Sequence, residues 1–185
     1  MDTISQARIA PLHPVLISRY TTMDQRAADA GIRLRVLYGL RTYAEQDMLW
    51  DKGRTTPGNP CKHDGVFRPV GTCPEHPFGL VVTEAKGGYS AHCFAYALDA
   101  DPDNPDFQAW TPDWNAQDNR WKQILQIGRD CKLAEGATWR TFPDAPHFYP
   151  QELPATPTDA MRAAFAQGGM PAVWTIIDGL IGSAN

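Results

Sequence analysis

The chain has 185 residues, of which 43% are hydrophobic and 21% charged, which excludes a disordered polypeptide and allows one domain with its own core. The net charge of −4 gives no general attraction to nucleic acid or to an anionic membrane surface. No apolar run approaches the ~20 residues that span a bilayer.

The first residues lack a basic segment followed by an apolar core and a small-residue cleavage site. Synthesis in the cytoplasm without a signal peptide is therefore expected. Residues 12–30 carry Val15, Leu16, Tyr20, Met23 and Ala27 at helical spacing, and Gly31 is placed to end that helix. Residues 32–37 alternate apolar and basic side chains, the pattern of a half-buried strand. Thr42 and Glu45 make a capping box for a helix over 43–52.

Residues 55–78 change character. Prolines, glycines, Cys61, His63, Cys73 and His76 mark a long irregular loop. Short strands are expected over 80–83 and 95–99, and a helix over 119–132 carrying Trp121, Ile124, Leu125 and Ile127. The aromatic segment 139–149 reads as extended. Two more helices are expected over 158–167 and 171–181.

The chemistry concentrates in two places. Ser90-Ala91-His92 is followed, seven residues after the histidine, by Asp99, and Asp144-Ala145-Pro146-His147 comes much later. His92 and Asp99 converge only if a loop carrying the histidine leads into a strand holding the aspartate. Zinc takes imidazole nitrogen and carboxylate oxygen, and a catalytic site keeps three protein ligands and one open position. His92, Asp99 and His147 meet that requirement.

These motifs resemble the zinc peptidases of the D-alanyl-D-alanine carboxypeptidase and L-alanyl-D-glutamate peptidase group (VanY-like), phage endolysins in particular. The group's pattern is Ser-x-His, then Ala-x-Asp, then an acidic residue three before a second histidine. The segments Gly39-Leu40-Arg41-Thr42-Tyr43-Ala44-Glu45-Gln46, Thr55-Thr56-Pro57-Gly58 and Ala85-Lys86-Gly87-Gly88-Tyr89-Ser90 are similar to the group's as well. The resemblance covers roughly residues 12–150. Three features depart from it. Ala95 stands where the group has glycine, about twenty residues are inserted between Gly58 and Val81, and the glycine–tryptophan approach to the last motif is reduced to Gly136-Ala137-Thr138-Trp139.

The resemblance implies an α+β fold whose small antiparallel sheet carries the zinc site, flanked by helices. It implies a catalytic domain over 1–150 with an inserted loop at 56–79, and a helical extension over 151–185 packed on it. His92, Asp99 and His147 would hold Zn2+, with Asp144 as general base. Arg41 would bind a substrate carboxylate or the developing oxyanion, where a fixed guanidinium is most useful. Ser90 would bind substrate or support His92, and Gln46 would contact substrate or fix its helix against the site. The implied partner is the peptidoglycan stem peptide, met in the periplasm or cell wall after release by a holin or export, by a monomer. Hydrolysis of the L-alanyl-D-glutamate bond is the first expectation. A D-alanyl-D-alanine carboxypeptidase, a non-catalytic peptidoglycan-binding relative and an exported antibacterial effector are the alternatives.

Two features stay open on sequence grounds. Cys61 and Cys73 can form a disulfide, join His63 and His76 around a second metal, or remain unlinked. The apolar face over 171–181 can pack on the catalytic domain or dock to a membrane or partner; its lack of Lys and Arg favours packing.

Overall fold

The computed structural model describes residues 1–63, 66–103, 110, 113 and 118–183. Among the described residues, five α-helices accompany a four-stranded antiparallel sheet in an α+β arrangement. The chain opens with α1 (Thr3–Ile9), a helix the sequence reading did not anticipate; the Asp2 side chain accepts from the Ser5 N–H and caps it. Helix α2 (Pro14–Asp29) follows, with His13 as its N-cap, and Gly31 takes the positive φ that ends it. Strand β1 (Leu34–Tyr38) leads to α3 (Tyr43–Asp51), where the Thr42–Glu45 capping box closes in both directions.

The inserted segment is not wholly irregular. A short hairpin, β2 (Cys61–His63) and β3 (Val66–Arg68), stands apart from the main sheet. The expected strand over 80–83 is reduced to one antiparallel bridge, between Asn59 and Leu80. After a 3-10 turn at Ala91–Phe94 come β4 (Leu98–Pro102), α4 (Asn119–Asp130), β5 (Leu133–Gly136), β6 (Asp144–Pro150) and α5 (Asp159–Ser183). The two helices expected near the C-terminus form and meet at a kink within α5, at Gly169, whose φ of 65° and ψ of −156° are non-helical values that only glycine adopts readily. Pro171 sits just past the kink, where its missing N–H breaks no helical bond.

The sheet order is β1-β4-β6-β5, so β4 and β6 lie side by side in the middle. One core cluster packs α2 and α4 against β1 and β4 through Leu16, Tyr20, Met23, Val36 and Ile124. A second gathers Ala91, Cys93, Phe94 and Tyr96 with Met161, Val173 and Ile177 of α5. The 3-10 turn is therefore held from outside by the last helix. Among the described residues no helix is long and apolar enough to cross a membrane.

Candidate active site

Asp99 on β4 and His147 on β6 are direct partners in the antiparallel register. Side chains opposite one another on adjacent strands stand on the same face, close enough to share a ligand. His92 reaches them from the 3-10 turn. Ala95 ends that turn at φ 61°, its N–H pointing back to the carbonyls of Ala91 and His92. This left-handed residue lets the chain double back, and so closes the seven-residue gap between His92 and Asp99.

The His92 Nδ1 lies 2.7 Å from the Gly39 carbonyl oxygen. A carbonyl only accepts, so Nδ1 carries the hydrogen and Nε2 keeps a lone pair. Gly39 is needed there, because a Cβ at that position would collide with the Arg8 carbonyl. The His92 Nε2 is 3.1 Å from Asp99 Oδ1 and 3.2 Å from His147 Nδ1, and the last two atoms are 3.2 Å apart. Three ligand atoms held tetrahedrally at ~2.0–2.2 Å from zinc lie roughly 3.3 Å from one another. Burial holds His92 below the usual imidazole range, against the pull of Asp99, so it favours the neutral form. A cation placed among these three atoms would be in reach of each of them. The donor set fits zinc, and among the described residues these three are the group able to hold a metal ion.

Asp99 is buried, which by itself raises its pKa. His92, the hydrogen bond from His147 and the Arg41 guanidinium outweigh burial and hold the carboxyl well below the usual range. Arg41 donates from Nη2 to Asp99 Oδ2 at 2.6 Å and from Nη1 to Gln46 Oε1 at 3.2 Å. Its guanidinium also lies 4.9 Å from the Tyr38 ring centroid. Gln46 is fully buried, and its amide donates to the Ala85 carbonyl at 2.9 Å and to Thr83 Oγ1 at 3.3 Å. It is absent from the walls of the groove described below, and its side-chain oxygen accepts from Arg41.

Asp144 opens β6 opposite Gly136, where a Cβ would lie 2.5 Å from the Asp144 carbonyl oxygen. Glycine is what lets β5 approach this residue. Burial first, then the negative charge of Asp99, pushes the Asp144 carboxyl up to about 6, with His147 and Arg41 pulling the other way. Its carboxyl thus lies in the electrostatic field of the three-ligand cluster. Ser90 is buried at the start of the 3-10 turn and makes no side-chain cap bond there.

These residues form part of an open groove of about 1220 Å³, which Arg41, Ser90, His92, Asp99, Asp144 and His147 all line. Sequence reasoning missed the groove's further walls: Trp50, Lys86, Tyr89, Trp139 and Arg140. Trp139 was legible as part of a degraded motif, and its ring lies 4.9 Å from that of His147. Lys86 and Tyr89 stood in a segment similar to the group's, with no role attached to them; Trp50 and Arg140 carried no signal, since each looks like an ordinary surface residue until the fold brings it to the groove.

Three likenesses to known proteins follow this geometry. Residues 83–150 match the family model described as D-alanyl-D-alanine carboxypeptidase, a span that holds His92, Asp99, Asp144 and His147 but not Arg41. The peptidoglycan L-alanyl-D-glutamate endopeptidase CwlK of Bacillus subtilis is 27% identical over 140 residues, 74% of this chain and 71% of that protein. The crystal structure of the Serratia marcescens L-Ala D-Glu endopeptidase ChiX superposes with a TM-score of 0.52 at 18% identity, covering 80% of this chain and 87% of that one. The last likeness is one of fold.

Proposed function

We propose that this chain, a peptidoglycan metallopeptidase related to the D-alanyl-D-alanine carboxypeptidase family, is zinc-dependent and hydrolyses the L-alanyl-D-glutamate bond of the stem peptide. The observation that carries the reading is the convergence of His92 Nε2, Asp99 Oδ1 and His147 Nδ1 within 3.2 Å on the groove, with Asp144 alongside.

When bound, zinc supplies Lewis acidity toward water and the peptide carbonyl, which can bring the pKa of water from ~15.7 to about 7. The residues do the rest. His92 and His147 would offer imidazole nitrogens and Asp99 the one negative charge. Arg41 fixes the outer oxygen of Asp99 and, through Gln46, is itself fixed to α3 and to the loop at Thr83 and Ala85. Asp144, as carboxylate, takes a proton from the attacking water. The water oxygen bonds to the alanyl carbonyl carbon, the C–N bond breaks, and Asp144 returns the proton to the departing amine. A carboxyl near 6 suits both halves of that exchange. Ser90 lines the groove, and its hydroxyl would contribute a hydrogen bond to the substrate.

The choice of bond follows the CwlK likeness, which extends over 140 residues. A D-alanyl-D-alanine carboxypeptidase is the second reading, favoured by the description of the family matched over residues 83–150. The enzyme works as a monomer on the outer side of the cytoplasmic membrane, and its motifs suit a phage endolysin. Digestion of purified sacculi separates the readings: new D-glutamyl amino termini are expected by mass spectrometry. Release of D-alanine alone would select the carboxypeptidase, and intact stems would exclude both.

A further inference from the structure

The proposed catalysis leaves Cys61 and Cys73 without a role. Cys61 opens β2, and Cys73 begins the turn Cys73-Pro74-Glu75-His76, which the His76 N–H closes on the Cys73 carbonyl at 3.3 Å. Both cysteines are buried, at 1% and 3% exposure, and their thiols are hydrogen-bonded to each other. Cys93 and Cys131 belong to two other places, one in each core cluster. The four cysteines thus sort into one contacting pair and two separated residues.

The competing use of the pair is a metal. Among the described residues, no third histidine, cysteine or carboxylate brings a ligand atom within 4.8 Å of both sulfurs. The side chain of His63 lies outside the described residues. The two sulfurs are in contact with each other, and the His76 and Glu75 N–H groups also reach Cys73.

We propose that Cys61 and Cys73 form a disulfide in the oxidising compartment where the enzyme meets peptidoglycan, and that this bond ties the β2–β3 hairpin to the returning leg of the insertion. The bond would sit just outside the Asn59–Leu80 bridge, whose N–H···O contacts are 2.7 and 3.0 Å. Pro57, Gly58 and Asn59 line the groove, so the bond braces one of its walls. The siting in an oxidising compartment rests on the proposed function; the pairing does not.

The chemistry is thiol–disulfide exchange with a low-molecular-weight or protein disulfide as oxidant. Cys73 is the attacking group. The hydrogen bond from Cys61, and those from the N–H groups of His76 and Glu75, favour its thiolate over the opposing effect of burial. That thiolate attacks one sulfur of the oxidant, breaking its S–S bond and releasing one thiolate. Cys61 then loses its proton and attacks the Cys73 sulfur, releasing the second. The cysteine pair loses two electrons, the oxidant gains them, and the two protons end on the released thiols. Both sulfurs are buried in the finished fold, so the exchange precedes its completion.

The test is to refold the reduced, unfolded full chain in a mixture of reduced and oxidised glutathione, block remaining thiols with N-ethylmaleimide, and map the peptides by mass spectrometry. One linked pair, Cys61 with Cys73, is expected, with Cys93 and Cys131 alkylated. Cys61→Ser should leave Cys73 alkylated and create no new linkage. Four alkylated cysteines in the wild type, or a linkage to Cys93 or Cys131, would overturn the proposal. So would a second zinc equivalent in the wild type, refolded with zinc and without glutathione, that Cys73→Ser loses. The wild-type map decides the matter even if a serine variant fails to fold.

Discussion

Ala95 shows how a single residue shapes the site. Its φ of 61° costs an L-residue about 1–2 kcal/mol. Glycine would remove that strain, but it would also lose backbone freedom worth about 0.5–1 kcal/mol. It would further strip a buried methyl group from the core, at about 0.8 kcal/mol. The terms nearly cancel, so Ala95→Gly should leave the melting temperature almost unchanged. Ala95→Val should lose at least about 2 kcal/mol, because a β-branched residue resists positive φ and the site has no spare room. Thermal unfolding of the two variants checks this ordering, and a strongly stabilised Ala95→Gly would contradict it. That Ala95 stands where the similar zinc peptidases have glycine was visible in the sequence. Its physical meaning was not, because the dihedral angle depends on His92 being turned back toward Asp99.

At the same scale, Asp144 must be ionised to act as base, and the ionised form prevails above its pKa. Activity should therefore be present at neutral pH and fall as pH drops through about 6. A cation on the neighbouring ligands moves that limb lower, because a positive charge favours the carboxylate. Asp144→Asn should cut kcat by at least about a hundredfold, in line with the usual contribution of a positioned base. A kcat/KM profile that stays flat down to pH 4 would argue against Asp144 as the base.

At the scale of elements, sequence periodicity served where an element has one apolar face. Helices α2 and α4 and the capping box of α3 follow from side-chain spacing and local hydrogen bonds. Helix α1 was missed because it is only seven residues long, and β5 because it is only four. The hairpin β2–β3 was hidden by the prolines and glycines around it. The kink in α5 could be suspected from Gly168-Gly169-Met170-Pro171, but its packing could not. Ile177 is fully buried beside Ala91, Cys93 and Phe94, so the last helix supports the turn that carries His92. Ile177→Ala should destabilise the protein by about 2–5 kcal/mol, measured by denaturant unfolding. A change under about 0.5 kcal/mol would mean that α5 is only loosely attached.

For the molecule as a whole, the ligand set was legible because chemistry restricts it: few residue types bind zinc, and their order along the chain matched a known pattern. The groove was not legible, since Trp50, Lys86, Tyr89 and Arg140 meet only through long-range folding. Arg41 shows the boundary between the two. Its motif was readable, but its hydrogen bond to Asp99 was not, and that bond ties the guanidinium to the ligand set. The central claim is that three residues hold one zinc ion and a fourth acts beside it without binding it. The most direct measurement is the zinc content per chain, by plasma mass spectrometry, of the wild type, His147→Ala and Asp144→Asn after desalting. One equivalent is expected in the wild type and in Asp144→Asn, and almost none in His147→Ala. Zinc retained by His147→Ala, or lost from a folded Asp144→Asn, would contradict it.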